Sequence, residues 1–467
     1  MNSLSRREFL RTGLAAGAAM SLGGRSASGR QAGPAGRPNI VFILSDDQGL
    51  DGVGCYGSDR HKSRTPNLDA LARDGIRFER CYSEPLCGPT RCEIMTGRYA
   101  FRTGGLTNQT AGRPVPQDEY PLARILMEAR YDTCCVGKWR QMGATPGDWG
   151  FGEYITDPTA GGWYWQKSYT KNGQLVETDK EIYYPDVAHE FAVDFLRRHA
   201  AGGAAAGKPF FLYYPSHLVH GPILRTPDSK PDEKDREALY DDNIAYLDKQ
   251  VGALAAELDR LKLRENTLIV FSGDNGTAAQ SGTINGRQIN GHKGTMMEGG
   301  ARVPLIANWK GVTPPGRVLK DLVDFSDVLP TFAEVAGAKM PANVVYDGRS
   351  FAPQLHGREG NPREWIFVQL GRNWYVRDDE WKLNQSGDLF NMKDSPIVEK
   401  LVPGDSTDEA AAAAARRRLQ AVLDKLNPAG GKTISDKEAA AERQRAKGRA
   451  ERQRQSQNPN QAARRAR

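Results

Sequence analysis

Apolar runs that end abruptly in polar residues constrain the fold of this chain more than any other feature. Three runs share this design: residues 39–44, 208–214 and 267–271. Each is short and continuous, and Gly, Pro or Asp residues bound it. Such runs are typical of strands buried on both faces of a parallel sheet. The sequence therefore predicts a parallel sheet whose strands end in polar side chains.

Segments with helical spacing alternate with these runs. Three segments carry it: 65–75, with Thr65–Pro66 at its start and Gly75 at its end, then 187–199 and 236–261. Alternating strands and helices predict an α/β sandwich, and 467 residues suffice for a large core. From residue 358 the pattern changes to short strand-like runs at 365–370, 374–376 and 381–384, followed by an Ala-rich helix at 409–426. We therefore expect a large α/β domain over 37–357 and a small C-terminal domain over 358–428.

Acidic and amide side chains follow two of the predicted strands. Asp46 and Asp47 come directly after the first run, and Asp274 and Asn275 follow the third. Ligands collect beyond the carboxyl ends of strands in α/β sheets, and oxygen ligands suit a hard divalent cation such as Ca²⁺. The alternative is helix N-capping, a common use of Asp and Asn after a strand.

A single cysteine opens a proline-containing turn at residues 87–91. Pro89 restricts the backbone, and Arg91 offers a cation to an anion. The following stretch favours a helix, whose N-terminus also attracts negative charge. Taken alone, this is a weak signal, because a buried structural cysteine is the ordinary explanation.

Several motifs, taken in order, resemble the formylglycine-dependent sulfatase family from about Pro38 to Leu401. They are NIVFILSDDQ (39–48), TPNLDALA (65–72), CGPTR (87–91), TGR (96–98), GKW (137–139), HGP (220–222), SGDNG (272–276), GHKG (291–294) and EGGARVP (298–304). The resemblance implies an alkaline-phosphatase-like fold. In that fold a large mixed, mostly parallel sheet is sandwiched by helices, beside a smaller α+β domain with an antiparallel sheet.

The resemblance also implies a covalent mechanism. In the family, the cysteine matched by Cys87 is oxidised to formylglycine by a formylglycine-generating enzyme. One hydroxyl of the hydrated aldehyde attacks sulfur, and the other expels sulfate from the sulfated enzyme, so that one hard step becomes two easier ones. By motif matching, one Ca²⁺ is held by five side chains: Asp46, Asp47, modified Cys87, Asp274 and Asn275.

Four further roles follow from the same matches. Arg91 orients the formylglycine hydroxyls, and Lys138 and Lys293 hold sulfate oxygens, where fixed cations stabilise the transition state. His220 is the acid that protonates the departing alcohol. The ordinary alternatives are surface lysines and a histidine at a turn.

Two residues depart from the family pattern. The family often has His after Gly-Lys-Trp, whereas this chain has Arg140. Arginine stays protonated and cannot act as a base, so His217, His292 or Asp274 takes that proton or the second step is impaired. Gln141 replaces only part of the hydrogen bonding. Thr90 stands where serine is more usual and keeps the hydroxyl.

The two ends of the chain carry different signals. Arg6 and Arg7 precede a Gly/Ala-rich apolar stretch, which predicts a twin-arginine signal peptide over 1–30 and a periplasmic or secreted location. The stretch is too short for a membrane span, and we expect no integral membrane association. Residues 431–467 hold eleven Lys or Arg and four Asp or Glu and so account for a charge of +7. Residues 429–467 are predicted as a basic tail that is disordered or transiently helical. The remaining core lacks nucleic-acid motifs, so we expect no specific nucleic-acid binding.

The sequence constrains the identity of the substrate less than it constrains the fold or the site. Residues 161–166 form an aromatic candidate loop for sugar stacking, with simple packing as the alternative. We expect a sulfated carbohydrate, with aryl sulfates as artificial substrates. Two other functions stay open: a phosphatase or phosphodiesterase on the same scaffold, with Cys87 unmodified or Thr90 as nucleophile, and a catalytically impaired sulfated-glycan binding protein. Five cysteines remain besides Cys87, and their pairing is not readable from the sequence.

Overall fold

A computed structural model describes residues 36–157, 164–278, 281–403 and 409–456. Its main feature is a ten-stranded sheet with the order β12-β2-β11-β8-β1-β7-β3-β4-β5-β6. The strands are β1 Asn39–Ser45, β2 Ile76–Tyr82, β3 Asp132–Gly137, β4 Glu153–Thr156, β5 Trp165–Lys171, β6 Gln174–Tyr183, β7 Phe210–Pro215, β8 Thr267–Gly273, β11 Arg302–Trp309 and β12 Arg317–Asp324. A two-stranded ribbon, β9 Thr283–Ile284 and β10 Arg287–Gln288, lies outside this sheet.

The three predicted apolar runs are neighbours at the centre of the sheet. β1 pairs in parallel with β7 on one side and with β8 on the other. Strands β11, β5 and β6 add antiparallel pairs. Alternate residues of β1 face two separate hydrophobic cores, with Phe42 in one and Val41 in the other. The predicted mixed, mostly parallel α/β sheet is therefore confirmed.

Helices cover both faces of the sheet. They are α1 Pro66–Arg73, α2 Cys87–Thr96, α3 Ala100–Thr103, α4 Pro116–Glu119, α5 Leu122–Glu128, α6 Tyr184–His199, α7 Arg236–Arg260, α8 Glu298–Ala301, α9 Val328–Ala336 and α10 Ala352–Leu355. Helices α1, α6 and α7 agree with the three predicted helical segments. Asp235 caps α7 by accepting a 2.8 Å hydrogen bond from the Ala238 backbone N–H.

A smaller antiparallel sheet follows the main one. Its strands are β13 Ile366–Leu370, β14 Asn373–Arg377, β15 Trp381–Asn384, β16 Leu389–Asn391 and β17 Lys400–Val402, and helix α11 Glu409–Leu426 accompanies them. Leu419 and Leu423 of α11 share a hydrophobic cluster with Phe367 and Val376 of the sheet. Tyr99 belongs to the same cluster, so the small sheet packs directly against the loop that follows α2.

The segment expected to be disordered or transiently helical contains a helix, α12 Asp436–Ser456. Ile434 and Ala439 are buried against Ala100 and Leu106 of the catalytic region. This apolar contact packs the segment against the main domain, although the polar, Arg-rich composition alone predicts no packing face. Residues 1–35, which carry the predicted signal peptide, and 457–467 lie outside the described residues.

Two further expectations concern the cysteines and the membrane. All six cysteines are free thiols, and only Cys55 is partly exposed. Across the described parts of the chain, every helix is too short or too polar to serve as a membrane span.

A buried charge network joins the large and small sheets. Glu298 accepts hydrogen bonds from Tyr82 Oη at 2.9 Å, Arg377 Nη1 at 2.9 Å and Ser395 Oγ at 2.5 Å. Glu298 and Arg377 are both almost fully buried. Burial opposes the charged carboxylate, but Arg377 and Arg302 more than compensate and lower the pKa of Glu298 to about 2.

We expect Arg377→Ala to destabilise the protein by about 3–5 kcal/mol, because a buried carboxylate would lose its main cation. Urea unfolding at pH 7 measures this. The exposed pair Arg287–Asp394 provides the control, since Arg287→Ala should change stability little. Because the pKa of Glu298 lies below its ordinary 4.5, this stabilisation is present above pH 4.5 and is lost as the pH falls through about 2. Equal losses of stability in Arg377→Ala and Arg287→Ala would contradict a major contribution of this network to the stability of the fold.

Candidate active site

The predicted site residues come together at the carboxyl ends of the central strands. Asp46 and Asp47 follow β1, Lys138 follows β3, His220 lies beyond β7, and Asp274 and Asn275 follow β8. Cys87 and Arg91 lie in the first turns of α2, and Lys293 lies in the loop before α8. This agrees with the rule that ligands of α/β sheets bind at this edge.

Backbone hydrogen bonds hold the strand ends in register. The Asp274 N–H donates to Ser45 O at 3.0 Å, and the Lys138 N–H donates to Pro215 O at 2.7 Å. Gly137 has φ of +125°, and a Cβ there would lie 2.1 Å from Pro215 O. Only glycine fits that approach, which explains the Gly137-Lys138 pair. The loops that carry the charged side chains are thus positioned by the sheet itself.

Cys87 lies fully buried between acids and a lysine. Its thiol donates to Asp46 Oδ1 at 3.4 Å and approaches Asp47 Oδ1 at 3.8 Å. Lys293 Nζ lies 3.3 Å from the sulfur. Burial, followed by the charges of Asp274 and Asp46, raises the pKa of Cys87. The unmodified side chain is therefore a neutral thiol and a poor nucleophile at neutral pH.

Arg91 connects two of the predicted metal ligands. Its Nη2 lies 2.8 Å from Asp274 Oδ2 and 3.9 Å from Asp46 Oδ2, and all three side chains are buried. Burial and the charge of Asp46 raise the pKa of Asp274 to about 6, against the opposing effect of Arg91. Arg91 is therefore held rigidly at the end of β8.

Two lysines supply positive charge beside the cysteine. Lys138 forms an ion pair with Asp46 and is completely buried, whereas Lys293 pairs with Asp47 and keeps 11% of its side chain exposed. Burial opposes the charge of Lys293, but Asp47 and its neighbours more than compensate and raise the pKa. Both ammonium groups therefore lie where an anion entering the site would meet them.

The oxygen-rich donor set fits a hard divalent cation. Asp46, Asp47, Cys87 and His220 offer ligand atoms that all lie within 4.8 Å of one another. The Asn275 side chain is fully buried, and its Oδ1 has no hydrogen-bond partner within the described residues. Its Nδ2 donates to Asp47 Oδ1 at 2.9 Å. An orphaned amide oxygen beside two carboxylates matches the ligand preference of Ca²⁺.

His220 lies beside the acidic cluster. Its Nε2 is 3.7 Å from Asp47 Oδ2, and its Nδ1 contacts Gly221 O. Burial, together with Lys138 and Lys293, lowers the pKa of His220 to about 3 despite the opposing charge of Asp47. The imidazole is therefore neutral at neutral pH in this arrangement, and its role as an acid stays a prediction.

Asp157 is a charged neighbour that the sequence analysis missed. Arg140, the departure from the family pattern, forms an ion pair with Asp157, and His217 Nε2 lies 3.0 Å from Asp157 Oδ1. Burial opposes ionisation, but His217 and Arg140 together lower the pKa of Asp157. Asp157 directly follows β4, which is the same signal that identified Asp46. The charge of Arg140 is thus balanced by a carboxylate.

The remaining motif residues have structural contacts. The Thr90 hydroxyl donates to Glu84 O at 3.0 Å, so its hydrogen is committed to the backbone. Residues 161–163 of the aromatic candidate loop lie outside the described residues. Tyr164 is buried and donates to His217 O at 3.0 Å and to His220 O at 2.6 Å. Tyr164 therefore holds the backbone of the loop that carries His217 and His220.

Comparison with known proteins places this geometry in a family. The sulfatase family model matches residues 38–338. N-acetylgalactosamine-6-sulfatase of Canis lupus familiaris is 32% identical over 370 residues, covering 72% of this chain and 69% of that protein. Arylsulfatase A of Homo sapiens is 32% identical over 368 residues, covering 71% and 70%.

The solved structures give a consistent result. The crystal structure of Ps i-CgsB in complex with k-i-k-neocarrahexaose superposes with a TM-score of 0.74 and 27% identity, covering 88% of this chain and 98% of that one. The family match spans the two strands that carry the acidic cluster and the helix that carries Cys87. The chain therefore belongs to the sulfatase family and is a sulfatase, an enzyme that hydrolyses sulfate esters.

Proposed function

We propose that this sulfatase depends on formylglycine at position 87 and on Ca²⁺, and that it removes sulfate from a sulfated carbohydrate. The observation that carries the proposal is the placement of the Cys87 sulfur, 3.4 Å from Asp46 Oδ1 and 3.3 Å from Lys293 Nζ. A hydrated aldehyde at this position would supply a hydroxyl nucleophile where the thiol is a poor one. The carbohydrate assignment is supported by the N-acetylgalactosamine-6-sulfatase relative and by the neocarrahexaose-bound structure.

The proposed calcium ligands are Asp46, Asp47, Asp274, Asn275 and the modified residue 87. The orphaned Asn275 oxygen and the clustered carboxylates support this set. The ion would supply charge stabilisation for a sulfate oxygen and for the nucleophile. Arg91 already contacts Asp274, so it would help to hold the acidic ligands while its guanidinium faces the nucleophile.

The chain's own cations would bind and orient the sulfate group. Lys138 and Lys293 each pair with a carboxylate at this site, and a bound cation would take over that pairing and release their N–H groups toward sulfate oxygens. Fixed ammonium groups in a water-poor site strongly stabilise developing negative charge. Both lysines would therefore act on the transition state more than on the free ester.

We assign His220 as the group that protonates the departing alcohol oxygen. Its side chain retains 20% exposure and so faces the approach to the site. Burial lowers the pKa of His220 most, and the charges of Lys138 and Lys293 add to it; a bound sulfate would neutralise the lysine contribution. The imidazole would then regain a proton in the substrate complex, which is when the acid is needed.

Maturation and location complete the proposal. Conversion of Cys87 requires a formylglycine-generating enzyme as a partner. The arginine pair at residues 6 and 7 supports twin-arginine export to the periplasm or beyond. The physiological substrate is then a sulfated glycan outside the cytoplasm.

The test combines mass spectrometry with a substrate panel, using protein purified from a host that carries the maturation enzyme. The peptide containing residue 87 should show loss of the thiol and gain of an aldehyde. Sulfate release from 4-nitrophenyl sulfate and sulfated oligosaccharides should exceed phosphate release from the matching phosphate esters. An intact thiol in fully active protein would contradict the formylglycine assignment, and faster phosphate release would contradict the reaction class.

A further inference from the structure

A cavity of about 380 Å³ lies beside the candidate active site. Val219 and Gly221, which flank His220, form part of its wall. Thr277 forms another part, and its backbone carbonyl accepts a 3.0 Å hydrogen bond from the Lys293 N–H. The cavity therefore lies next to the residues assigned to the leaving alcohol and the sulfate. Its volume falls within the range of small-molecule pockets, about 300–1,000 Å³, and accommodates one or two sugar rings.

The lining combines an aromatic ring with buried hydroxyl groups, one of which lacks a partner. The Tyr240 ring packs edge-on against His61, with 5.6 Å between ring centroids. Tyr240 Oη and Ser281 Oγ are both buried. Ser281 Oγ has no hydrogen-bond partner among residues 36–157, 164–278, 281–403 and 409–456, whereas Tyr240 Oη lies within reach of the Thr277 side chain. Ser281 as a whole is only 3% exposed. Unsatisfied buried hydroxyls are costly unless a ligand or water completes them, and sugars supply both donors and acceptors.

Two arginines at the rim of the cavity differ in whether a carboxylate pairs with them. Arg60 is neutralised, because it pairs with Glu237 and lies 2.7 Å from Asp241 Oδ1. Arg236, at the first position of α7, lines the same cavity, and in the described part of the chain no carboxylate pairs with it. A guanidinium without an acidic partner is suited to bind sulfate or carboxylate groups in a bidentate manner.

We propose that this cavity binds the sugar residue next to the sulfated one and that Arg236 recognises a second anionic substituent on it. Tyr240 and Ser281 bond the hydroxyl groups of that sugar, and the Tyr240 ring covers its apolar face. The proposal rests on the proposed function and specifies its substrate class, an oligosaccharide that carries at least two anionic groups. The part of the oligosaccharide that carries the leaving hydroxyl lies against α7 and against residues 277–278 and 281–283.

The experiment compares kcat/KM for 4-nitrophenyl sulfate with values for matched monosulfated and disulfated chondroitin disaccharides, all with mature, full-length enzyme. The wild type should prefer a disulfated disaccharide. Arg236→Gln should lower the ratio of disulfated to aryl sulfate kcat/KM by about tenfold, mainly through KM, because one charge-assisted contact is lost. Arg236→Lys should restore part of the ratio. Tyr240→Phe should raise KM severalfold for both disaccharides.

Arg260→Gln is the matched control, because Arg260 lies on the same helix, is exposed and is remote from the cavity. It should leave the ratio unchanged. Cleavage of aryl sulfate without cleavage of any disaccharide, or an unchanged ratio in Arg236→Gln, overturns the subsite and leaves the sulfatase proposal intact. Absence of sulfate release from every substrate by protein with verified formylglycine contradicts the proposed function itself.

Discussion

Cys87→Ala will lower kcat for sulfate release by at least about 10⁴-fold, because removal of a covalent nucleophile leaves only binding and electrostatic stabilisation. The side chain is completely buried among Asp46, Asp47 and Lys293. Single-turnover and steady-state sulfate release from 4-nitrophenyl sulfate measure the effect. The native fold should be retained, since the substitution removes one sulfur atom from a polar pocket.

Cys92→Ala provides a control in the same helix. Cys92 is also buried, but its sulfur lies 2.9 Å from Ala111 O and 3.7 Å from Met142 Sδ, away from the acidic cluster. This variant should lose some stability, because burial of the sulfur is lost, while kcat stays within a factor of about two of the wild type. Comparable turnover in the Cys87 and Cys92 variants would exclude position 87 as the nucleophile.

Lys293→Met will lower kcat by about 10²–10³-fold, because one preorganised cation would be lost from the transition state. Lys293 is the better of the two lysines to test, since its side chain keeps some exposure whereas Lys138 is fully buried against Asp46. Methionine preserves most of the volume. The substitution should reduce kcat by a larger factor than it reduces the affinity for sulfate. Product inhibition measures that affinity.

Lys310→Met is the matched control for this charge. Lys310 lies on the surface, 3.0 Å from Asp259, and its substitution should change neither kcat nor the melting temperature appreciably. A Lys293 variant that raised KM with kcat unchanged would indicate ground-state binding only. That outcome would contradict the assignment of Lys293 to the transition state.

Much of the site was predictable because parallel strands share one functional edge. β1 and β8 are adjacent and in register, with Ser45 opposite Gly273. The residues that follow them, Asp46 and Asp274, must therefore lie near each other. The apolar runs indicated the strands, and each turn to polar residues marked where the strands end. Cys87 was harder, since only the resemblance to a family connected this helix N-terminus with the strand ends.

Other features depend on contacts between residues far apart in the chain. Nothing near Arg140 in the sequence indicates that Asp157 balances its charge, and this pair forms only because β3 and β4 lie side by side. Helix α12 carries little apolar periodicity of its own, so its docking through Ala439, together with Ile434 just before the helix, was not apparent from the sequence. The resemblance to the family also gave no indication of the cavity beside Tyr240.

The positions of the buried strands along the chain, and the polar residues at their ends, were thus set by local pattern. Hydrophobic burial and backbone pairing act on every short segment. Which charges neutralise each other, and which arginine has no paired carboxylate among the described residues, depended on the folded chain. Coulombic pairing depends on distances of a few ångströms between side chains, and packing brings together residues such as Arg60 and Asp241 that are 181 positions apart.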